Sequence, residues 1–244
     1  MPTVYEPMFS TLNGKLLFNA GSLQTGHAFD WEPWVSEGTP ETTRLLADVS
    51  PGPTGSSPFQ AIVSNNVAYF SAVSGSHERQ LWRTDGTPEG TWQVSSGPQV
   101  SLRDIAATEN YLFFYGRDSA HGSELWRSDG TEEGTQLVKD IYPGTQSSIE
   151  ESGRFHIATL VPFGQEVFFA ARQTSANDGR DYQLWKSDGT EAGTVLVGNT
   201  NHFNNTYPTY LPPFPNHLTT ADGSLLFVSI NQMITPQLLR YHEG

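Results

Sequence analysis

The strongest constraint on the fold is a string of twelve residues that recurs along the chain. ELWRSDGTEEGT occupies residues 124–135, with near-copies at 80–91 (QLWRTDGTPEGT) and 183–194 (QLWKSDGTEAGT). Weaker copies stand at 32–43 (EPWVSEGTPETT) and 237–244 (QLLRYHEG), where Leu239 replaces the tryptophan. Because the same string recurs at broadly similar spacing, the chain is built from one repeated structural unit.

Each unit contains four short segments rich in apolar residues. In the third unit these are LRDIAATEN, YLFFYG, ELWRSDG and TQLVKDI. The first two segments of a unit are joined by NG, NN or DG in different copies, which are residues that accept the positive φ of a tight hairpin turn. With 23 glycines, 16 prolines and only 16% charged residues, the composition favours short strands over long helices. The sequence therefore predicts an all-β protein.

Four-stranded antiparallel units of this length are typical of β-propellers. We predict a single five-bladed propeller domain over residues 1–244, with units at about 9–50, 59–96, 100–142, 156–198 and 217–244. The fifth unit ends before its fourth strand, and TVYEP near the N-terminus resembles the missing segment. Residues 3–6 are therefore predicted to supply that strand and close the ring.

The strings at 80–91, 124–135 and 183–194 resemble the ELWxxDGT repeat family of bacterial proteins, which usually belong to exported or surface-associated polypeptides. The match is weaker at 32–43, where Glu37 replaces the aspartate. The predicted architecture is also similar to that of the tachylectin-like five-bladed lectins. The resemblance implies an extracellular or cell-surface location, although the sequence as given starts without a secretory signal.

The repeated side chains of the motif are predicted to serve the fold. Trp82, Trp126 and Trp185 are expected to pack between blades rather than to stack on sugar rings. The motif aspartates precede Gly-Thr in a turn, where a carboxylate can accept backbone N–H bonds; they are Asp85, Asp129 and Asp188. Calcium ligation by these carboxylates is an alternative, but one aspartate per turn falls short of the oxygen ligands that calcium takes. No cofactor is predicted.

Three histidines stand in the loop between the second and third strands of successive units: His27, His77 and His121. Equivalent loops of successive blades are spread around a rim, too far apart for a single ion with bonds of roughly 2 Å. Loop capping or ligand contact is therefore expected in place of a shared metal site.

The charge balance excludes two classes of partner. The chain has 26 acidic and 13 basic side chains, a formal charge of −13, which repels nucleic acids and anionic lipid surfaces. No apolar run approaches the roughly 18 residues of a membrane helix, and no cysteine is present to form a disulfide or act as a nucleophile. We predict no nucleic-acid partner and no membrane insertion.

Catalysis is also disfavoured. A propeller glycoside hydrolase needs at least two carboxylates on the strands that face the central channel. The predicted inner strands FSTLN, FQAIVS, SLRDIAAT, HIATLV and HLTTA contain one, Asp104. A non-enzymatic protein is therefore predicted, with a propeller glycoside hydrolase as the less favoured alternative.

Binding is expected where the units differ. The fourth unit is followed by the long connection NTNHFNNTYPTYLPPFPN at 199–216. Its amide groups and flat rings suit neutral polyhydroxylated ligands, and the candidate binding residues are His202, Asn204, Asn205, Tyr207 and Tyr210. The alternative is a proline-stiffened connection that binds nothing. A carbohydrate-binding or adhesive module is preferred because several weak sites on one ring yield avidity. A protein-binding scaffold within a larger surface assembly is the alternative function.

Overall fold

The computed structural model describes residues 8–21, 30–52, 55–75, 78–149, 160–173, 182–197, 216–230 and 236–241. In this part of the chain the backbone forms five sheets, four with four strands and one with three. The only helical element among these residues is a 3₁₀ turn at Pro40–Thr42. The prediction of an all-β protein made of four-stranded antiparallel sheets is confirmed.

The sheets follow one another along the chain, and we number them I to V. Sheet I comprises β1 (Phe9–Leu12), β2 (Lys15–Gly21), β3 (Trp31–Ser36) and β4 (Arg44–Leu45). Sheet II comprises β5 (Phe59–Ser64), β6 (Val67–Val73), β7 (Arg79–Thr84) and β8 (Trp92–Ser95). Sheet III comprises β9 (Gln99–Ala107), β10 (Leu112–Asp118), β11 (Gly122–Ser128) and β12 (Gln136–Leu137).

Sheets IV and V continue this pattern. Sheet IV comprises β13 (Val161–Phe163), β14 (Glu166–Ala171), β15 (Gln183–Ser187) and β16 (Val195–Leu196). Sheet V comprises β17 (Asn216–Ala221), β18 (Ser224–Ile230) and β19 (Pro236–Tyr241). In every sheet each strand pairs with the next along the chain, so each sheet is an antiparallel meander, and among the described residues β19 is an edge strand.

Tight turns join the first two strands of sheets I, II and V. Both turn residues have positive φ in each case: 50° and 78° at Asn13 and Gly14, 49° and 60° at Asn65 and Asn66, and 49° and 66° at Asp222 and Gly223. Asparagine, aspartate and glycine tolerate this region best. Each dipeptide therefore sets both the turn and the register of the two strands that it joins.

The strand register places an aromatic residue of the second strand opposite the motif tryptophan. Phe18 pairs with Trp34 in sheet I, Phe70 with Trp82 in sheet II, and Phe169 with Trp185 in sheet IV. In sheet V the backbone of Phe227 pairs with that of Leu239. Cross-strand aromatic pairs of this kind stabilise a sheet.

The chain divides into two compact units, Met1–Arg103 with Ser128–Thr135, and Asp104–Arg127 with Gln136–Gly244. The core of the first unit includes Leu12, Leu17 and Phe70. That of the second includes Phe113, Tyr115, Leu125, Phe169 and Trp185. The second strand of sheets II, III and IV is buried along most of its length, as expected for a strand covered on both faces.

Candidate functional site

The turn between the third and fourth strands has the same hydrogen bonds in sheets II, III and IV. In sheet III, Oδ1 of Asp129 accepts bonds from the backbone N–H of Thr131 at 2.9 Å and from its hydroxyl at 2.7 Å. The hydroxyl oxygen of Thr131 accepts a bond from the N–H of Gly134 at 3.0 Å. The hydroxyls of Ser128 and Thr135 lie 2.7 Å apart and join the two ends of the turn.

The other two copies repeat this geometry. Oδ1 of Asp85 accepts from the N–H of Thr87 at 2.9 Å and from its hydroxyl at 2.6 Å, and Asp188 accepts from Thr190 at 2.8 and 2.7 Å. The side-chain hydrogen bond from Thr87 is the main cause that holds the pKa of Asp85 below its usual value. Among the described residues no group of three His, Cys, Asp or Glu side chains is placed to hold a metal ion.

The second glycine of the motif is required by the aspartate. A Cβ atom at Gly134 would collide with the carboxylate of Asp129, and the same holds for Gly90 with Asp85 and Gly193 with Asp188. In the DGTxxG spacing, the carboxylate of the aspartate therefore lies against the second glycine, in the space that a side chain at that position would occupy.

Sheet I departs from this pattern at both positions together. Glu37 stands in place of the aspartate and Thr42 in place of the second glycine. The hydroxyl of Thr42 accepts bonds from the N–H groups of Glu37 at 3.1 Å and Thr39 at 3.3 Å. A threonine hydroxyl thus performs in this copy the capping that an aspartate performs in sheets II, III and IV.

The motif tryptophans pack through their rings. Trp185 is 3% exposed and belongs to the core of the second unit, whereas Trp82 packs at the margin of the first unit's core, with its ring centroid 6.5 Å from that of Phe70. The buried indole N–H groups of Trp34, Trp82, Trp126 and Trp185 make no hydrogen bond within the described part of the chain. Their contribution there is apolar contact.

A buried glutamate at the first motif position was not anticipated from the sequence. Glu124 is fully buried and its carboxylate accepts four hydrogen bonds. Oε1 accepts from the N–H groups of Tyr142 and Ser148, both at 3.2 Å. Oε2 accepts from the N–H of Ile141 at 3.3 Å and from the hydroxyl of Ser148 at 2.6 Å. All four donors belong to the loop that follows sheet III.

Glu32 has the same environment in sheet I, where it is 5% exposed. Oε1 accepts from the N–H groups of Ser50 at 3.3 Å and Ser56 at 2.8 Å. Oε2 accepts from the N–H of Val49 at 3.0 Å and from the hydroxyl of Ser56 at 2.6 Å. The two glutamates therefore hold equivalent loops in two different sheets.

Burial raises the pKa of both glutamates, and that of Glu124 to about 7, although the four hydrogen bonds oppose the shift. Perturbed carboxyl groups often mark functional sites, but these two are enclosed by the loops they hold.

A sequence signal for the two buried glutamates exists. The similar strings DVSPGPTGSS at 48–57 and DIYPGTQSS at 140–148 follow the two copies that have glutamate at the first motif position.

His121 is oriented by Asp118 in the loop between β10 and β11. Its Nδ1 lies 2.8 Å from Oδ2 of Asp118, which also accepts N–H bonds from Ala120 and His121 through Oδ1. The side-chain hydrogen bond to Asp118 is the main cause that raises the pKa of His121. This geometry caps the loop.

Carboxylates near the hairpin turns are engaged with neighbouring side chains. Oε2 of Glu109 accepts a bond from Nε2 of Gln165 at 2.8 Å. Oε1 of Glu166 lies 2.8 Å from Nζ of Lys186. Both carboxylates therefore have partners within the scaffold.

Several predicted residues lie outside the described part of the chain. They are the ligand candidates His202, Asn204, Asn205, Tyr207 and Tyr210, the histidines His27 and His77, and residues 3–6. Their predicted roles remain predictions. The described residues contain no helix of the length and apolar character that a membrane span requires.

Solved structures with a similar fold include two groups of enzymes. A prolyl endopeptidase structure matches with a TM-score of 0.52 and 14% identity over 95% of this chain. A puromycin hydrolase S511A mutant matches with a TM-score of 0.50 and 17% identity over 92%. This chain spans about a third of their length, 32% and 33% respectively. At such identities the likeness concerns the fold alone.

The SapL1 lectin in complex with alpha methyl fucoside also matches, with a TM-score of 0.44 and 12% identity over 98% of this chain and 78% of the lectin. No protein-family model matches the chain, and no curated protein matches it.

Proposed function

We propose that this protein is a non-catalytic binding module, carbohydrate-binding or adhesive, that acts outside the cell or at its surface. The observation that carries the proposal is the internal use of the motif's polar side chains. The aspartates accept bonds within their own turns, and the glutamates hold loops of the scaffold. Recognition is therefore left to connections that differ between the repeats.

We propose further that the five sheets are blades of a closed five-bladed propeller, in a protein of the ELWxxDGT repeat type. In the described part of the chain, sheet V has three strands where the others have four, and β19 is its edge. Residues 3–6 would add the fourth strand beside β19. A closed ring would cover an edge that is otherwise open to pairing with other chains.

The state of the buried carboxyl groups supports a role without catalysis. A general acid or base must reach the substrate directly or through one water. Glu32 and Glu124 have raised pKa values, but each is surrounded by four donors of the scaffold. Their perturbation is explained by burial without any substrate.

The ligand in this proposal is a neutral glycan bound by the connection at 199–216. His202, Asn204, Asn205, Tyr207 and Tyr210 combine rings for the C–H face of a sugar with amides for its hydroxyls. A neutral ligand is favoured over an acidic one because the formal charge of the chain is −13.

A glycan array with wild-type protein and two double variants tests this function. The change Tyr207→Ala with Tyr210→Ala should abolish retention on neutral glycans without lowering the melting temperature. The matched control, Phe9→Ala with Trp92→Ala, removes two aromatic rings elsewhere in the chain that are 69% and 43% exposed, and should bind as wild type does. If wild-type protein binds no glycan, or if the loop variant binds as well as wild type, this site is wrong.

A second candidate function is a protein-binding scaffold, because apolar side chains are exposed on fourth strands. Leu45 on β4 is 38% exposed, Trp92 on β8 is 43% exposed, and Val195 and Leu196 on β16 are 39% and 38% exposed. Retention on cell-surface proteins that survives deglycosylation and is lost in Val195→Ser with Leu196→Ser would favour this function over glycan binding.

A further inference from the structure

The first residue of the motif is glutamate in two copies and glutamine in others, and the surroundings differ accordingly. Glu32 and Glu124 are each surrounded by four hydrogen-bond donors. Gln80 of sheet II faces acceptors instead. With its amide nitrogen turned toward them, it donates to the carbonyl oxygens of Ser95 at 3.1 Å and Pro98 at 3.2 Å. Glutamate therefore stands where the chain that follows offers hydrogen-bond donors, and Gln80 stands where that chain offers acceptors.

The serine held by each glutamate joins two successive sheets. In the first unit, the N–H of Ser56 donates to the carbonyl of Trp31 on β3 at 3.0 Å, and its carbonyl accepts from Val73 on β6 at 2.8 Å. In the second unit, the N–H of Ser148 donates to the carbonyl of Ser123 on β11 at 3.1 Å, and its carbonyl accepts from Arg172, just after β14, at 3.0 Å.

Glycines allow the loop to lie directly on the strand at both places. A Cβ atom at Gly55 would collide with the backbone of Asp30 and Trp31, and one at Gly122 would collide with the backbone of Gln146. Both glycines have positive φ, 60° and 68°. The serine and the glutamate are therefore in direct contact, with no side chain between the loop and the strand.

We propose that Glu32 and Glu124 are latches: Glu32 holds sheet I to sheet II, and Glu124 holds sheet III to sheet IV. The loss of either latch opens the contact between the two sheets that it holds, here called the joint, while each of the two sheets stays folded. A glutamine in the same place would direct an NH₂ group at a backbone N–H, because each carboxylate oxygen accepts from at least one backbone donor. A buried donor left without an acceptor is costly. The unpaired donor destabilises the joint between the two sheets rather than the strands, because the donors belong to the loop that connects the sheets.

Reciprocal variants test the latch by native-state hydrogen exchange at about pH 8, above the pKa of Glu124, so that the wild-type side chain is mostly a carboxylate. Glu124→Gln should raise the exchange rate of the Ser148 and Arg172 amides by roughly tenfold or more, and leave the amides within β14 unchanged. Glu32→Gln should do the same at Ser56 and Val73. Gln80→Glu is the matched control: it directs a carboxylate at two carbonyls and should leave Ser148 and Arg172 at wild-type rates.

Serine variants keep the test decisive if a glutamine variant does not fold. Ser148→Ala removes one of the four donors and should give a smaller rise at the same two amides. An exchange rate at Ser148 and Arg172 that is unchanged in both Glu124→Gln and Ser148→Ala overturns the proposal. So does a rise of equal size within β14, since it would mean that the sheets unfold together and that no joint opens separately.

Discussion

Two tryptophans show how position within a strand decides what the side chain contributes. Trp185 on β15 is 3% exposed and lies opposite Phe169. Trp92 at the start of β8 is 43% exposed, and the guanidinium of Arg83 lies 4.4 Å from the centre of its ring. The first residue is part of a core, and the second forms a cation–π contact at the surface.

Truncation should separate these two roles. Trp185→Ala is expected to lower the free energy of unfolding by about 3–5 kcal/mol, the usual cost of removing a buried aromatic ring. Trp92→Ala should cost about 1 kcal/mol or less, the size of an exposed cation–π contact. Urea denaturation of both variants measures the difference. Equal losses would mean that Trp185 does not contribute through packing.

The glutamates predict how stability depends on pH. Burial raises the pKa of Glu124 to about 7 in the folded protein, from its ordinary value of 4.5. The folded state therefore holds this proton more tightly than the unfolded state does. The resulting stability is fully present below about pH 4.5 and is lost as the pH rises through about 7, by at most about 3 kcal/mol.

Comparison with Glu124→Gln isolates this effect. The difference in unfolding free energy between wild type and the variant should shrink as the pH is raised from about 5 to 8, because glutamine does not titrate. Thermal or urea unfolding at several pH values supplies the measurement. A difference that grows with pH would show that the four hydrogen bonds outweigh burial and hold the carboxyl ionised.

The DGTxxG turn behaves as one unit in which two positions depend on each other. Gly134→Ala should destabilise the protein by about 2 kcal/mol or more, because the new Cβ displaces the carboxylate of Asp129. Asp129→Ala should cost about 1–2 kcal/mol through the loss of its bonds to Thr131.

The double variant tests the dependence. Once Asp129 is alanine, the collision at position 134 is removed, so the combined loss should be clearly smaller than the sum of the two single losses. Additive losses would show that the glycine is required for another reason. Sheet I offers a natural comparison, since its turn has Glu37 and Thr42 at these two positions.

Ring closure is a property of the whole chain and can be tested at that level. If residues 3–6 complete sheet V, deletion of residues 1–7 removes a ladder of backbone bonds and exposes the edge at β19. The melting temperature should fall by several degrees and self-association should increase, measured by calorimetry and light scattering. A truncated protein as stable and as monomeric as the full chain would contradict closure.

The repeat, the all-β class and the tight hairpin turns could be read from the amino-acid sequence because each depends on local information. Asn-Gly at 13–14 and Asp-Gly at 222–223 select positive φ whatever lies around them. Alternating apolar segments then specify strands, and recurrence specifies that the strands form equivalent sheets.

The latches and the differing roles of the tryptophans needed the tertiary structure. Ser148 lies 24 positions after Glu124, and the bonds between them depend on a loop that folds back across the strand. The letters ELW alone do not distinguish a surface glutamate from a buried one that accepts four bonds, and the similar strings at 48–57 and 140–148 do not show which of their groups donate to it. The decision rests on which backbone N–H groups the fold brings to that point, and such non-local placement is a property of the packed sheets.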